Sequence, residues 1–185
     1  MKYIFTILLS VILLFLSACG GKDEKEVVLE SIDLQGQMIE TYNAGMKALE
    51  EGDVLFAAKN FNTVENIYPQ SIWAPRSVLM AAYSFYSQDY YGDAISELKR
   101  FLRNYPASKD LSYAYFLLAT CYYELIIDEK KDISPLINSK KYYQILIKEY
   151  PDTDFALDAK FKLELIQNVL ASKEVYIGNY YLGKK

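Results

Sequence analysis

The chain contains no histidine, one tryptophan, two cysteines and five prolines in 185 residues. Without histidine, the commonest general base and metal ligand is missing. Neither a phosphate-cradling glycine loop, a metal-ligand cluster nor a nucleophile-and-base pair is visible. Carboxylate pairs such as Glu50/Glu51 and Asp152/Asp154 fall at helix ends or turns, where solvated capping accounts for them. The sequence therefore predicts no catalytic residue, no metal and no dissociable cofactor, and it points to binding.

What is present is an internal repeat. Ala94, Leu98 and Pro106 fall at relative positions 0, 4 and 12 in DYYGDAISELKRFLRNYP. Ala57, Phe61 and Pro69 hold the same offsets 37 positions earlier, and Ser139, Tyr143 and Pro151 hold them 45 positions later. Each copy reads as a helix with a small residue one turn before a large one, ended by Tyr-Pro. Ser71, Ser108 and Thr153 follow two residues after these prolines and are expected to cap the next helix. The preceding helices align as Ala44-Gly45 with Ala48, Ala81-Ala82 with Phe85, and Leu118-Ala119 with Tyr122. Small residues there let paired helices approach closely. The pattern resembles the tetratricopeptide repeat, with longer periods than the usual ~34 residues, no signature tryptophan and a serine at the third small site. The predicted fold class is all-α: a tetratricopeptide-like helix-pair solenoid behind a cleaved lipoprotein signal peptide.

The hydrophobic content of 52% must be divided before it is interpreted. Lys2 followed by YIFTILLSVILLFL is a charged start and an apolar run of signal-peptide type, which gives residues 1–18 to a cleaved leader. Leu16-Ser17-Ala18-Cys19 resembles the bacterial lipobox, which implies that Cys19 is lipidated and becomes the first residue of the mature chain. The alternative is an ordinary secretory peptide cut near Ala18. Gly20, rather than Asp, resembles lipoproteins passed on to the outer membrane. With Cys19 acylated, Cys121 has no disulfide partner and reads as a small buried apolar residue. Loss of the leader removes one lysine and no acid, leaving 19 basic against 24 acidic residues, a formal charge of −5. That balance argues against nucleic acid.

Residues 19–36 read as the lipidated cysteine and, for the most part, a tether that enters a helix late, able to reach at most roughly 60 Å if fully extended. Residues 37–185 read as the solenoid, with three repeats and most of a fourth. Helices are expected over Gln37–Glu51, across the first repeat copy, over Pro75–Gln88, across the second copy, and over Asp110–Ile127, Leu136–Glu149 and Phe155 to about Leu170. DEKKDISP inserts into the third pair, either as a solvated loop or as a partner contact. Gly183-Lys184-Lys185 reads as the turn before a further helix, so a C-terminal truncation is expected. In tetratricopeptide solenoids the first helix of each pair lines the concave surface. The alignment assigns Tyr42, Met46, Leu49, Arg76, Leu79, Tyr83, Tyr86, Tyr113, Phe116 and Tyr123 to a peptide-binding groove there. The competing assignment for any one of these aromatics is inter-helix core. Tyrosines offer apolar area plus a hydroxyl, and Arg76 can pair with a carboxylate or a backbone carbonyl.

Four stretches together resemble the BamD family, the tetratricopeptide lipoproteins of the machine that inserts β-barrel proteins into the bacterial outer membrane. They are the lipobox at Cys19, AISELKRFLRNYPASKDLSYAYFLLATCYYEL, the insertion after it, and EYPDTDFALDAKFKLELIQNVLASKEVYIGNYYLGKK. The resemblance implies a non-catalytic scaffold, lipid-anchored at the periplasmic face of the outer membrane. It also implies as partners the barrel-forming core subunit BamA, other assembly lipoproteins and unfolded outer-membrane proteins. The C-terminal repeats that bind the core subunit in that family are not among these residues. The alternative is a periplasmic repeat scaffold like the Tol–Pal coordinator, which shares Tyr-Pro-x-Ser repeats but lacks the lipidated cysteine and usually begins with a coiled coil.

Overall fold

A computed structural model describes residues 24–126 and 132–183. Among them are seven α-helices and no strand: α1 (Glu24–Glu50), α2 (Val54–Ile67), α3 (Trp73–Tyr86), α4 (Tyr91–Asn104), α5 (Leu111–Glu124), α6 (Ser134–Glu149) and α7 (Asp154–Leu182). The chain divides into two compact units at Gln37/Met38. In the first, residues 24–37 are already helical. The helix thus begins earlier in this stretch than expected, and where the stretch is helical it rises only about 1.5 Å per residue. Cys19 lies outside the described residues, as do Asp128–Lys131 of the insertion.

In the second unit, successive helices pack as antiparallel neighbours from α2 to α7, and α5 also touches α7. The repeat positions explain the packing. Ala57/Phe61, Ala94/Leu98 and Ser139/Tyr143 are all fully buried. In α4, Ala94, Ile95, Leu98 and Phe101 form the single buried stripe of an amphipathic helix. In α5 the buried positions run round more of the helix, because α4, α6 and α7 all cover it. Three cores result, centred on Phe61, on Leu98/Phe101 and on Tyr143/Leu146; Phe85 packs against the first two and Tyr142 against the last two. Each repeat thus closes on its neighbours, as expected for a solenoid.

The third repeat keeps this packing with polar side chains by satisfying them. Ser139 Oγ donates to the Ala119 carbonyl at 2.8 Å. Thr120 Oγ1 donates to the Phe116 carbonyl at 3.0 Å, so Tyr143 must be the donor in its 3.0 Å contact with Thr120. No buried hydroxyl of this trio is left without a partner, which would cost about 1–3 kcal/mol. Between repeats, Arg100 on α4 reaches Glu65 and Asn62 on α2 as well as Glu97, and the Tyr105 hydroxyl donates to Glu65 at 2.6 Å.

Tyr68, Tyr105 and Tyr150 close α2, α4 and α6, each with positive ψ, the geometry a following proline enforces. Thr153 is the N-cap of α7 and accepts from the Ala156 amide, as expected, whereas Ser71 accepts from the Ala74 amide but stands one residue before Ile72, which takes the N-cap position of α3. Ser108 differs: it accepts from Asp110, and Asp110 takes the N-cap position of α5. Among the described residues the segment after Thr153 is one helix of 29 residues, longer than the expected helix from Phe155 to about Leu170.

Candidate functional site

The helices α3, α5 and α7 are the first members of successive pairs, and a groove of about 470 Å3 opens among them. From α3 come Arg76, Leu79, Met80 and Tyr83; from the start of α5 and the turn before it come Lys109, Asp110 and Tyr113; from α7 comes Phe155. Arg76, Leu79, Tyr83 at spacings of three and four form one helical stripe. Leu79 is the buried floor, whereas Arg76 and Tyr83 stand at the rim, Tyr83 40% exposed. Tyr113 lies on Phe155, ring centroids 5.5 Å apart, and burial pushes its phenol up to about 12. It is therefore a neutral hydroxyl at physiological pH. The Arg76 guanidinium lies 5.6 Å from the Trp73 ring centroid and, among the described residues, meets no carboxylate within ion-pair distance. With Lys109 it gives the rim a positive character that Asp110 only partly offsets.

Four of the ten expected groove residues thus come together: Arg76, Leu79, Tyr83 and Tyr113. The other six do not line this groove. Tyr42 packs edge-on between Phe61 and Trp73 and faces a separate, smaller cavity. Met46 and Leu49 pack against the Ala57/Phe61 core, and Tyr86 packs against the Leu98 core. Phe116 is taken up by core contacts with Tyr143 and Phe155. Tyr123 faces a third cavity with Leu136 and Val169, and the Lys162 amine lies 5.3 Å from its ring centroid. The physical reason is the close packing of each first helix against its neighbours in the chain: a side chain aimed at an adjacent helix is spent on packing.

Met80, Lys109, Asp110 and Phe155 were not legible as groove residues from the repeat alignment of helix centres. A signal exists in the proline register. Trp73, Asp110 and Phe155 all stand four residues after the repeat proline, in the first turn of α3, just ahead of α5, and in the first turn of α7. Each lines a cavity. Among the described residues there is no cluster of three or more metal-ligating side chains, and no helix long and apolar enough to cross a membrane.

Helix pairs of this kind define a tetratricopeptide-repeat solenoid. The first such domain of Spaghetti (RPAP3) bound to the HSP90 peptide SRMEEVD has a TM-score of 0.55 with this chain, at 16% identity over 74% of this chain and 94% of that one. The first such domain of human RPAP3 gives 0.55 at 18% identity, covering 75% and 95%. These likenesses show the fold.

Sequence carries the assignment further. Residues 34–185 match the family model YfiO, described as outer membrane lipoprotein, and the chain belongs to that family. It is 34% identical over 180 residues to outer membrane protein assembly factor BamD of Rickettsia prowazekii, covering 97% of this chain and 70% of that protein. To the BamD of Caulobacter vibrioides it is 32% identical over 167 residues, covering 90% of this chain and 53% of that one. The chain therefore spans about half to two-thirds or so of the length of these relatives.

Proposed function

We propose that this protein is a non-catalytic subunit of the machinery that assembles β-barrel proteins into the bacterial outer membrane. It sits at the periplasmic face, anchored through lipid on Cys19. Attachment in this reading needs more than one acyl chain, because one binds only marginally and two or more hold stably. The barrel-forming core subunit BamA and other assembly lipoproteins are its protein partners.

The groove among α3, α5 and α7 takes extended segments of unfolded barrel proteins. A chain of an outer membrane lipoprotein family that converges Arg76, Leu79, Tyr83 and Tyr113 on one open groove is the observation that carries this reading. An unfolded barrel strand presents alternating apolar side chains and an unpaired backbone. Aromatic rims cover the former, while tyrosine hydroxyls and the Arg76 guanidinium satisfy the latter. Such a surface holds a strand without offering it a sheet edge to aggregate on. The comparisons give no support to the envelope-coordination scaffold.

The test is a photo-crosslinking amino acid at position 83 in cells. Capture of unfolded barrel proteins, together with co-purification of the core subunit, is expected. Co-purification without barrel-protein crosslinks would remove the groove from the reading, and loss of both would remove the reading itself.

A further inference from the structure

A smaller cavity of about 130 Å3 lies between α1 and the start of α3, lined by Met38, Ile39, Tyr42, Asn43 and Trp73. Its lining is apolar apart from Asn43. Met38 is buried, at 2% exposure, while Ile39 stands 44% exposed at the opening. The Tyr42 and Trp73 rings meet edge to face, centroids 5.2 Å apart. Free small-molecule sites run to about 300–1,000 Å3, so this cavity is sized for one side chain. Ile72, just before Trp73, is 86% exposed and extends the apolar surface.

Two relations tie this cavity to the larger groove. Trp73 follows Pro69 by the same four residues that separate Phe155 from Pro151, and Phe155 lines the larger groove. Arg76 joins the two, lying over the Trp73 ring while lining that groove. Arg76 is exposed and lacks an acidic partner among the described residues.

We propose that the Trp73 cavity is a second subsite of the groove, holding one aliphatic side chain of an extended peptide whose aromatic residue sits in the larger groove. This rests on the groove reading above. From Trp73 to Tyr83 the helix rises about 15 Å, at about 1.5 Å per residue. An extended peptide covers that distance in four to five residues at about 3.3 Å each. Alternate side chains of a strand face the same way, so residues i and i+4 enter the two cavities and i+2 faces Arg76. A carboxylate at i+2 complements the Arg76 guanidinium, which meets no carboxylate among the described residues. The occupant is therefore an extended segment with an aliphatic residue, an acid two residues on, and an aromatic two beyond that. Asn43, exposed at the rim, has amide groups available to the peptide backbone.

Trp73 is the only tryptophan of the chain, so its emission reports this cavity together with the Arg76 guanidinium over its ring, and its access to a quencher reports the cavity. The probes are two otherwise polar peptides with Asp at i+2 and Phe at i+4, one with Leu at i and the other with Ser there. Each is used dye-labelled for anisotropy and unlabelled for Trp73 emission and acrylamide quenching. The Leu peptide is expected to bind about tenfold tighter than the Ser peptide, and only it to protect Trp73 from acrylamide. Ile39→Ser is expected to reduce the Leu peptide to the affinity of the Ser peptide while leaving Ser-peptide binding unchanged. Equal binding of both peptides with unaltered Trp73 quenching overturns the subsite and leaves the groove standing. Absence of binding by either peptide overturns the groove reading and the subsite with it.

Discussion

Gly52 and Asp89 occupy the same left-handed turn in successive repeats, with φ of +81° and +64°. Both turns are closed identically. After α1, the amides of Gly52 and Asp53 donate to the carbonyls of Leu49 and Ala48; after α3, those of Asp89 and Tyr90 donate to Tyr86 and Phe85. This is a Schellman closure, in which glycine is favoured because a Cβ is strained at positive φ.

Asp89→Gly is therefore expected to stabilise the protein, by up to about 1 kcal/mol. Relief of left-handed strain is about 1–2 kcal/mol and glycine's extra chain entropy removes about 0.5–1 of it. The hydrogen bond lost, from the Tyr91 hydroxyl to the Asp89 carboxylate at 2.5 Å, is exposed to solvent. Urea unfolding decides between them. A lower midpoint for the variant would show that this bond outweighs the backbone strain.

Gly45→Ala is expected to destabilise even though alanine is the better helix former by about 1 kcal/mol. A Cβ there would stand 2.9 Å from Phe61 Cε1, and Phe61 is fully buried. Overpacking of about 1–3 kcal/mol leaves a net loss of roughly 1 kcal/mol. Ala94→Leu, at a position with no exposed surface, should cost roughly 1–3 kcal/mol with no compensating gain. Unchanged thermal midpoints in both variants would contradict this packing.

Burial pushes the Cys121 thiol up to about 12, and the phenols of Tyr113 and Tyr143 to about 12 as well. Their unfolded values are about 8.5 for cysteine and about 10 for tyrosine. Folded values above unfolded ones mean that the native state binds more protons, so stability is complete below the unfolded values and falls as pH rises towards 12. Unfolding midpoints should decline from about pH 9 upward, and Cys121→Ala should delay that decline. In the folded protein at neutral pH, mass spectrometry after maleimide treatment should find Cys121 unmodified, and modified only after denaturation.

Arg76→Ala and Tyr83→Ala should each weaken binding of a barrel protein's C-terminal peptide by something like 1–2 kcal/mol, with circular dichroism unchanged. Both side chains are exposed, so neither carries the core. Phe116→Ala should behave differently, losing stability first, because its ring lies between those of Tyr143 and Phe155. Wild-type affinity in the folded Arg76 and Tyr83 variants would return these residues to ordinary surface.

Cys19→Ser should release the protein from the membrane fraction while its helical signal stays the same, since the acyl anchor is chemically separate from the repeat cores. Fractionation in cells lacking the partner subunits reads this directly. Retention of the variant in the outer membrane would count against the lipid anchor.

The sequence by itself determined the helix pairs, because its information is local and periodic. A small residue and a large one at i and i+4 fix which face of α2, α4 and α6 is buried. Tyr-Pro ends each of those helices through a steric clash that no distant contact can override. Even the polar third repeat was visible as a departure, although its resolution, Ser139 onto the Ala119 carbonyl and Tyr143 onto Thr120, required knowing which helix stands opposite. The start of α1 at Glu24 was missed because a glycine-led, charged stretch carries a weak helical signal of its own.

The groove was decided by tertiary structure. Tyr83, Tyr86, Phe116 and Tyr123 look alike in the sequence, as aromatics on first helices. Whether such a ring faces solvent or the neighbouring helix depends on the angle at which that helix crosses, which no periodicity encodes. The result leaves Tyr83 at the rim, puts Phe116 into the core and moves Tyr123 to another cavity, and it brings in Lys109 and Phe155 from helix starts far apart in the chain.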